Sequence, residues 1–160
     1  DRGTRVLLDH VPDPPATGVF LDLGCGWGPI ALAMADASPR ARVLATDVNE
    51  RALDLTARNA AAAGHTGVRV LGASALRARL ERDGTRLDLI WSNPPARIGK
   101  VALRTLLGSW LQLLAPDGEA WFVAAKNLGA DSLTAWLAAE GYEAARAASS
   151  KGFRVLRVHR

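Results

Sequence analysis

The order of elements along the chain constrains its fold more than any other feature. Short apolar runs alternate with helical patterns. Residues 19–22 form an apolar run that ends in glycines, and residues 29–37 carry Ile30, Leu32, Ala33 and Met34 at helical spacing. Strands are predicted at 42–46, 68–71, 87–91 and 120–125, with helices at 50–63, 75–82, 101–114 and 132–140 between or after them. Pro116-Asp117-Gly118 reads as a turn. Such alternation demands a parallel sheet with helices on both faces. Two final strands, at 142–147 and 153–158, are joined by a link around residues 149–152. A parallel crossover needs a dozen or more residues, so this pair is antiparallel. The expected fold is therefore α/β: a Rossmann-like, doubly wound, seven-stranded and mostly parallel sheet with an antiparallel C-terminal edge hairpin. Residues 1–160 are expected to form a single domain. Residues 1–10 look like the end of a helix whose beginning lies upstream, as in a fragment or the core of a longer protein.

Composition removes several alternatives. One cysteine, Cys25, excludes a disulfide framework and any multi-cysteine metal site. His10, His65 and His159 lie far apart and lack metal-ligand spacing. No apolar run approaches the roughly 20 residues of a membrane span, and no signal peptide is visible. A cytoplasmic protein with neither membrane nor metal partner is expected. Lysine and arginine total 20 against 16 acids, and only Lys100, Lys126 and Lys151 are lysines. The arginine excess alone reads as the bias of a GC-rich genome.

Chemistry concentrates at two places. After the first strand comes Asp22-Leu23-Gly24-Cys25-Gly26-Trp27-Gly28, and a helix starts at once. Glycines there permit unusual backbone angles and close approach of a ligand. Asp47 ends the second strand, 19 residues beyond Gly28, where a carboxylate can accept from ribose hydroxyls. The G-x-G-x-G spacing differs from the G-x-G-x-x-G of dinucleotide folds, so a nucleotide-like ligand without a pyrophosphate fits better than NAD. Cys25 reads as a small filler within this loop. The second place is Ser92-Asn93-Pro94-Pro95 after the fourth strand. The prolines remove backbone donors. An Asn oxygen and a proline-flanked carbonyl can together accept two hydrogen bonds from one planar amino group.

These residues resemble a class I S-adenosylmethionine-dependent methyltransferase, and the Asn-Pro-Pro form is that of enzymes acting on planar nitrogens. The tail narrows the likeness. Residues 95–100 (PARIGK), 128–133 (LGADSL) and 151–156 (KGFRVL), with the opening Asp1-Arg2-Gly3-Thr4, resemble the methyltransferase small-domain family. Its well-known members are 16S ribosomal RNA guanine-N2 methyltransferases. The resemblance implies S-adenosyl-L-methionine as cofactor, wrapped by Gly24, Gly26 and Gly28. Asp22 would sit near its amino group, Asp47 on the ribose and Val48 against the adenine. Ser74 falls where many relatives carry Asp or Asn, and Asn93 also borders the cofactor. Asn93, Pro94 and Pro95 would form the catalytic turn that holds the target amino group. Arg97 and Lys100 would contact substrate phosphate, and ribosomal RNA or the small ribosomal subunit would be the partner. Beside such a turn the arginine excess points to a polyanion. Ala96 departs from the aromatic residue common after Asn-Pro-Pro, which disfavours glutamine- and adenine-methylating branches. Stacking would then fall to Trp27, Trp91 or Phe153, each of which also suits a core. The competing readings are methyl transfer to a protein glutamine or small molecule, and a non-catalytic RNA-binding module.

Overall fold

The computed structural model describes residues 1–95 and 97–160, and all their side chains except that of Leu128. Helix α1 spans Arg2–His10 and is followed by β1 (Val19–Leu23), α2 (Pro29–Ala37), β2 (Arg42–Thr46), α3 (Glu50–Ala62) and β3 (Val68–Val70). Then come α4 (Ala73–Asp83), β4 (Leu87–Ser92), α5 (Lys100–Leu111), β5 (Leu114–Ala125), a 3-10 turn at Lys126–Leu128, α6 (Ala130–Ala139), β6 (Glu143–Ser150) and β7 (Phe153–His159). The sheet has seven strands in the order β3-β2-β1-β4-β5-β7-β6. β1 pairs in parallel with both β2 and β4, so the chain reverses its direction of travel across the sheet between them. β7 runs antiparallel to β5 and β6, as the short link requires. That link closes with Lys151 and Gly152 at φ of 51° and 81°. Positive φ at both central residues is the turn whose twist matches paired strands.

Alternate residues of each strand face opposite layers. Leu21, Leu44, Ile90, Phe122 and Leu156 pack with Leu76 and Leu80 of α4, Leu107 and Leu111 of α5, and Leu133 and Leu137 of α6. Phe20, Val43, Trp91, Val123 and Val155 pack with Val6 and Leu7 of α1 and Ile30 and Met34 of α2. Each layer buries enough apolar area that truncating one of its large side chains should cost about 2–5 kcal/mol.

Asp1 caps α1, its Oδ1 accepting from Gly3 N at 2.7 Å and Thr4 N at 3.3 Å. One expectation is corrected. Helix α5 stops at Leu111, and Pro116-Asp117-Gly118 lies within β5. The β4–β5 register jumps there, Leu87 opposing Leu114 and Leu89 opposing Glu119. The three residues form an extended bulge. Gly118 is required in it, because a Cβ would lie 2.6 Å from the Leu87 carbonyl oxygen.

Candidate functional site

The carboxyl ends of β1, β2 and β4 converge at the point where strand order reverses, the usual ligand crevice of open α/β sheets. The loop after β1 is tied to β2 first. Gly24 N and Cys25 N both donate to the Thr46 carbonyl, at 2.9 and 3.0 Å. Gly26 N donates to Asp47 Oδ2 at 2.9 Å, while Asp47 Oδ1 accepts from Asn49 N at 2.9 Å. Asp47 thus braces the glycine loop, and each carboxylate oxygen retains acceptor capacity for a ligand hydroxyl. Two residues of α3 hold the loop from below. Thr56 Oγ1 donates to the Gly26 carbonyl at 2.9 Å, and Asn59 Nδ2 to the Trp27 carbonyl at 2.8 Å.

The two later loop glycines have different reasons to be glycine. Gly28 has φ 101°, and a Cβ there would stand 3.0 Å from Thr56. Gly26 has φ 56° and nothing within 4 Å of an added Cβ. Its bare face is open space that a ligand can approach closely. A cavity of about 160 Å³ opens here, lined by Asp1, Thr4, Gly24, Gly26, Trp27 and Asn93 among others.

Asp22, two residues before Gly24 at the end of β1, is wholly buried. Its Oδ2 accepts from Ala31 N at 2.9 Å, and its Oδ1 has no partner. Loss of hydration pushes its pKa up to about 7, against the Ala31 hydrogen bond that opposes the shift and with the Asp47 charge adding to it. A buried carboxylate oxygen without a donor fits a nearby ammonium group. Val48, next along β2's end, is an apolar side chain 87% exposed. Such exposure suits a flat apolar ring packed over it. Ser74 is exposed in the first turn of α4 and borders neither cavity of the site. Cys25 is buried, and loss of hydration raises its thiol to about 11, so it is an inert filler.

The second half of the site follows β4. Ser92 Oγ donates to the Leu23 carbonyl at 2.6 Å, which locks the β4 end against β1. Asn93, Pro94 and Pro95 then line a cleft of about 390 Å³ with Arg97, Lys100, Asn127 and Phe153. Asn93 borders both cavities. The exposed side chains of Arg97 and Lys100 stand at the cleft's rim. On the opposite wall the backbone of the Lys126 turn is tied to the β6–β7 link, Lys126 N donating to the Gly152 carbonyl at 2.9 Å. Phe153 is the predicted aromatic that faces the cleft, Trp91 is core, and Trp27 is 53% exposed on the glycine loop. Ala96 lies outside the described residues. Among the described residues no three His, Cys, Asp or Glu side chains group as a metal site requires, and no helix is long and apolar enough to cross a membrane.

Sequence reasoning does not reach Thr56, Asn59 or Asn127. Ser92, Thr4, Gly3 and Asp1 belong to motifs legible in the sequence, which assigns them no individual task. Their proximity to the site depends on packing across the sheet.

Residues 1–157 match the family described as methyltransferase small domain. An uncharacterised Bacillus subtilis protein is 32% identical over 158 residues, 99% of this chain and 78% of its own. The ribosomal RNA large subunit methyltransferase G of Streptomyces coelicolor is 36% identical over 81% of this chain and 35% of its own length. A release factor glutamine methyltransferase of Xylella fastidiosa is 51% identical, over 55% of this chain and 30% of its own. The chain thus spans about a third of these two enzymes. A Thermus thermophilus 16S rRNA N2 guanine methyltransferase, solved with AdoMet and guanosine, superposes with a TM-score of 0.82 at 20% identity, over all of this chain and 43% of that one.

Proposed function

The chain belongs to the methyltransferase small-domain family, and on that premise we propose that it methylates the exocyclic N2 amino group of a guanine in ribosomal RNA. Its cofactor is S-adenosyl-L-methionine, which when bound supplies an electrophilic methyl group on a sulfonium. The observation that carries the proposal is the position of Asn93, shared by the glycine-loop cavity and the cleft beside it. A side chain there can touch both methyl donor and acceptor.

The residues divide the work. Gly24, Gly26 and Gly28 let the backbone approach the cofactor, with Asp47 on its ribose, Val48 on its adenine and Asp22 near its ammonium group. Ser74 is assigned only the adenine side, through its hydroxyl. Asn93 Oδ1 and the Pro94 carbonyl accept from the two protons of the target amino group. That orients the nitrogen lone pair towards the methyl donor and stabilises the positive charge that develops on nitrogen. Positioning of this kind supplies roughly 7–11 kcal/mol in favourable cases. Pro95 stiffens the turn that carries these groups.

The cleft walls support a flat, polyanionic substrate. Phe153, Pro94 and Pro95 offer surfaces on which a base can stack, and Arg97 and Lys100 set positive charge at its rim. A base within a duplex must leave its stack to enter. The high local identity to a glutamine methyltransferase favours a second acceptor, a protein glutamine amide, which presents the same planar NH2. The test supplies labelled cofactor to ribosomal subunits, to naked ribosomal RNA and to cell protein separately. Label in RNA, lost in Asn93→Ala with cofactor affinity retained, is the expected result. Label confined to protein would overturn it.

A further inference from the structure

We propose that Asp1 and Thr4 are positioning residues that hold the Asn93 amide in a single orientation. The inference rests on the reading that Asn93 accepts from the substrate amino group. Asn93 follows β4, yet its side chain meets the start of α1. Its Nδ2 donates to Asp1 Oδ1 at 3.2 Å and to Thr4 Oγ1 at 3.0 Å. The amide nitrogen has two protons, and these two acceptors take both. Oδ1 is then the amide atom left for the substrate, and it is an acceptor, as an incoming NH2 requires.

The carboxylate at position 1 makes this orientation directional. A hydroxyl tolerates either amide atom, because it donates and accepts. A carboxylate only accepts. Rotating the Asn93 amide by half a turn would set its Oδ1 against Asp1 Oδ1 with no proton between them, which is repulsive. Capping α1 does not by itself demand the charge, since Asn caps a helix about as well as Asp. Gly3 completes the seat. An added Cβ there would lie 3.2 Å from both Asn93 heteroatoms and from the Phe153 ring, so a side chain would press on the amide. The start of α1 thus does three things for one amide: it binds both protons, rejects the flipped form and leaves room for the group. Thr4 is itself buried, which partly shields its contact with the amide from water, while the Asp1 contact is exposed.

The test uses Thr4→Val, which keeps shape and removes the hydroxyl, Thr4→Ser, which restores it, and Asp1→Asn, which keeps the cap and removes the acceptor-only character. Two quantities are read. One is kcat for methyl transfer to ribosomal RNA taken from cells lacking the gene. The other is exchange of the Asn93 side-chain amide protons with water by NMR, the signals being identified by their loss in Asn93→Ala. Thr4→Val should lower kcat about tenfold and speed amide exchange about tenfold, the scale of one hydrogen bond. Thr4→Ser should return both to within about twofold, and Asp1→Asn should lower kcat severalfold with thermal stability kept. A kcat unchanged in Thr4→Val, or lowered with amide exchange unchanged, overturns the inference. Full methyl transfer by Asn93→Ala would instead remove the amino-clamp reading, while the exchange rates would still decide whether Asp1 and Thr4 hold the amide.

Discussion

Asp22→Asn should change how stability depends on pH. The Asp22 carboxyl is wholly buried, and its pKa stands at about 7 against an ordinary 3.8. The folded protein therefore holds this proton more tightly than the unfolded chain does. Between about pH 4 and pH 7 unfolding releases a proton, so stability falls as pH rises, then levels off. The difference corresponds to a loss on the order of 4 kcal/mol from this one group. Asn removes that dependence. It can still accept from Ala31 N, but its NH2 takes the place of the unpartnered Oδ1 and lacks an acceptor. A buried unpaired donor costs about 1–3 kcal/mol. Relative to wild type the variant should thus gain on the order of 4 kcal/mol of stability between about pH 4 and pH 8, and be the more stable of the two at pH 8.5. Urea unfolding at a series of pH values measures this directly, because other titrating groups cancel in the difference between the two proteins. Parallel stability–pH curves for wild type and Asp22→Asn would refute the assignment of a raised pKa to this residue.

Further outcomes follow from the same geometry. Gly26→Ala should cost only about 1–2 kcal/mol of stability, for a residue at positive φ with room for a Cβ. It should nevertheless weaken cofactor binding at least tenfold by calorimetry, since the methyl enters the cofactor's space. Arg97→Ser combined with Lys100→Ser should lower RNA affinity and reduce the salt slope of binding by about one to two, with cofactor affinity unchanged. Filter binding across a salt series reads this, and an unaltered slope would place the RNA elsewhere.

The elements legible in the sequence are those whose signals are local. Residues 29–37 and 42–46 match α2 and β2 end to end, because proline opens the helix and an apolar run defines the strand. The glycine loop and Asp47 were legible for the same reason: their spacing is short and their residue types are restrictive. The end of α5 was not. The apolar pattern runs on through Leu114, while the chain has already turned into β5, because Gly118 and its neighbours form a bulge against Leu87. The supports of the site were equally hidden. Thr56 and Asn59 reach the loop from α3, about 30 residues away, and Thr4 reaches Asn93 across 89. Threonine and asparagine occur everywhere, and only the packing of α1 and α3 against the sheet gives these particular ones a task.

The most direct test of the central claim is mass spectrometry of nucleosides from ribosomal RNA of cells with and without the gene. Loss of N2-methylguanosine at one position is expected, restored by the wild-type gene but not by one encoding Asn93→Ala. Ribosomal RNA with an unchanged set of methylated nucleosides would contradict it.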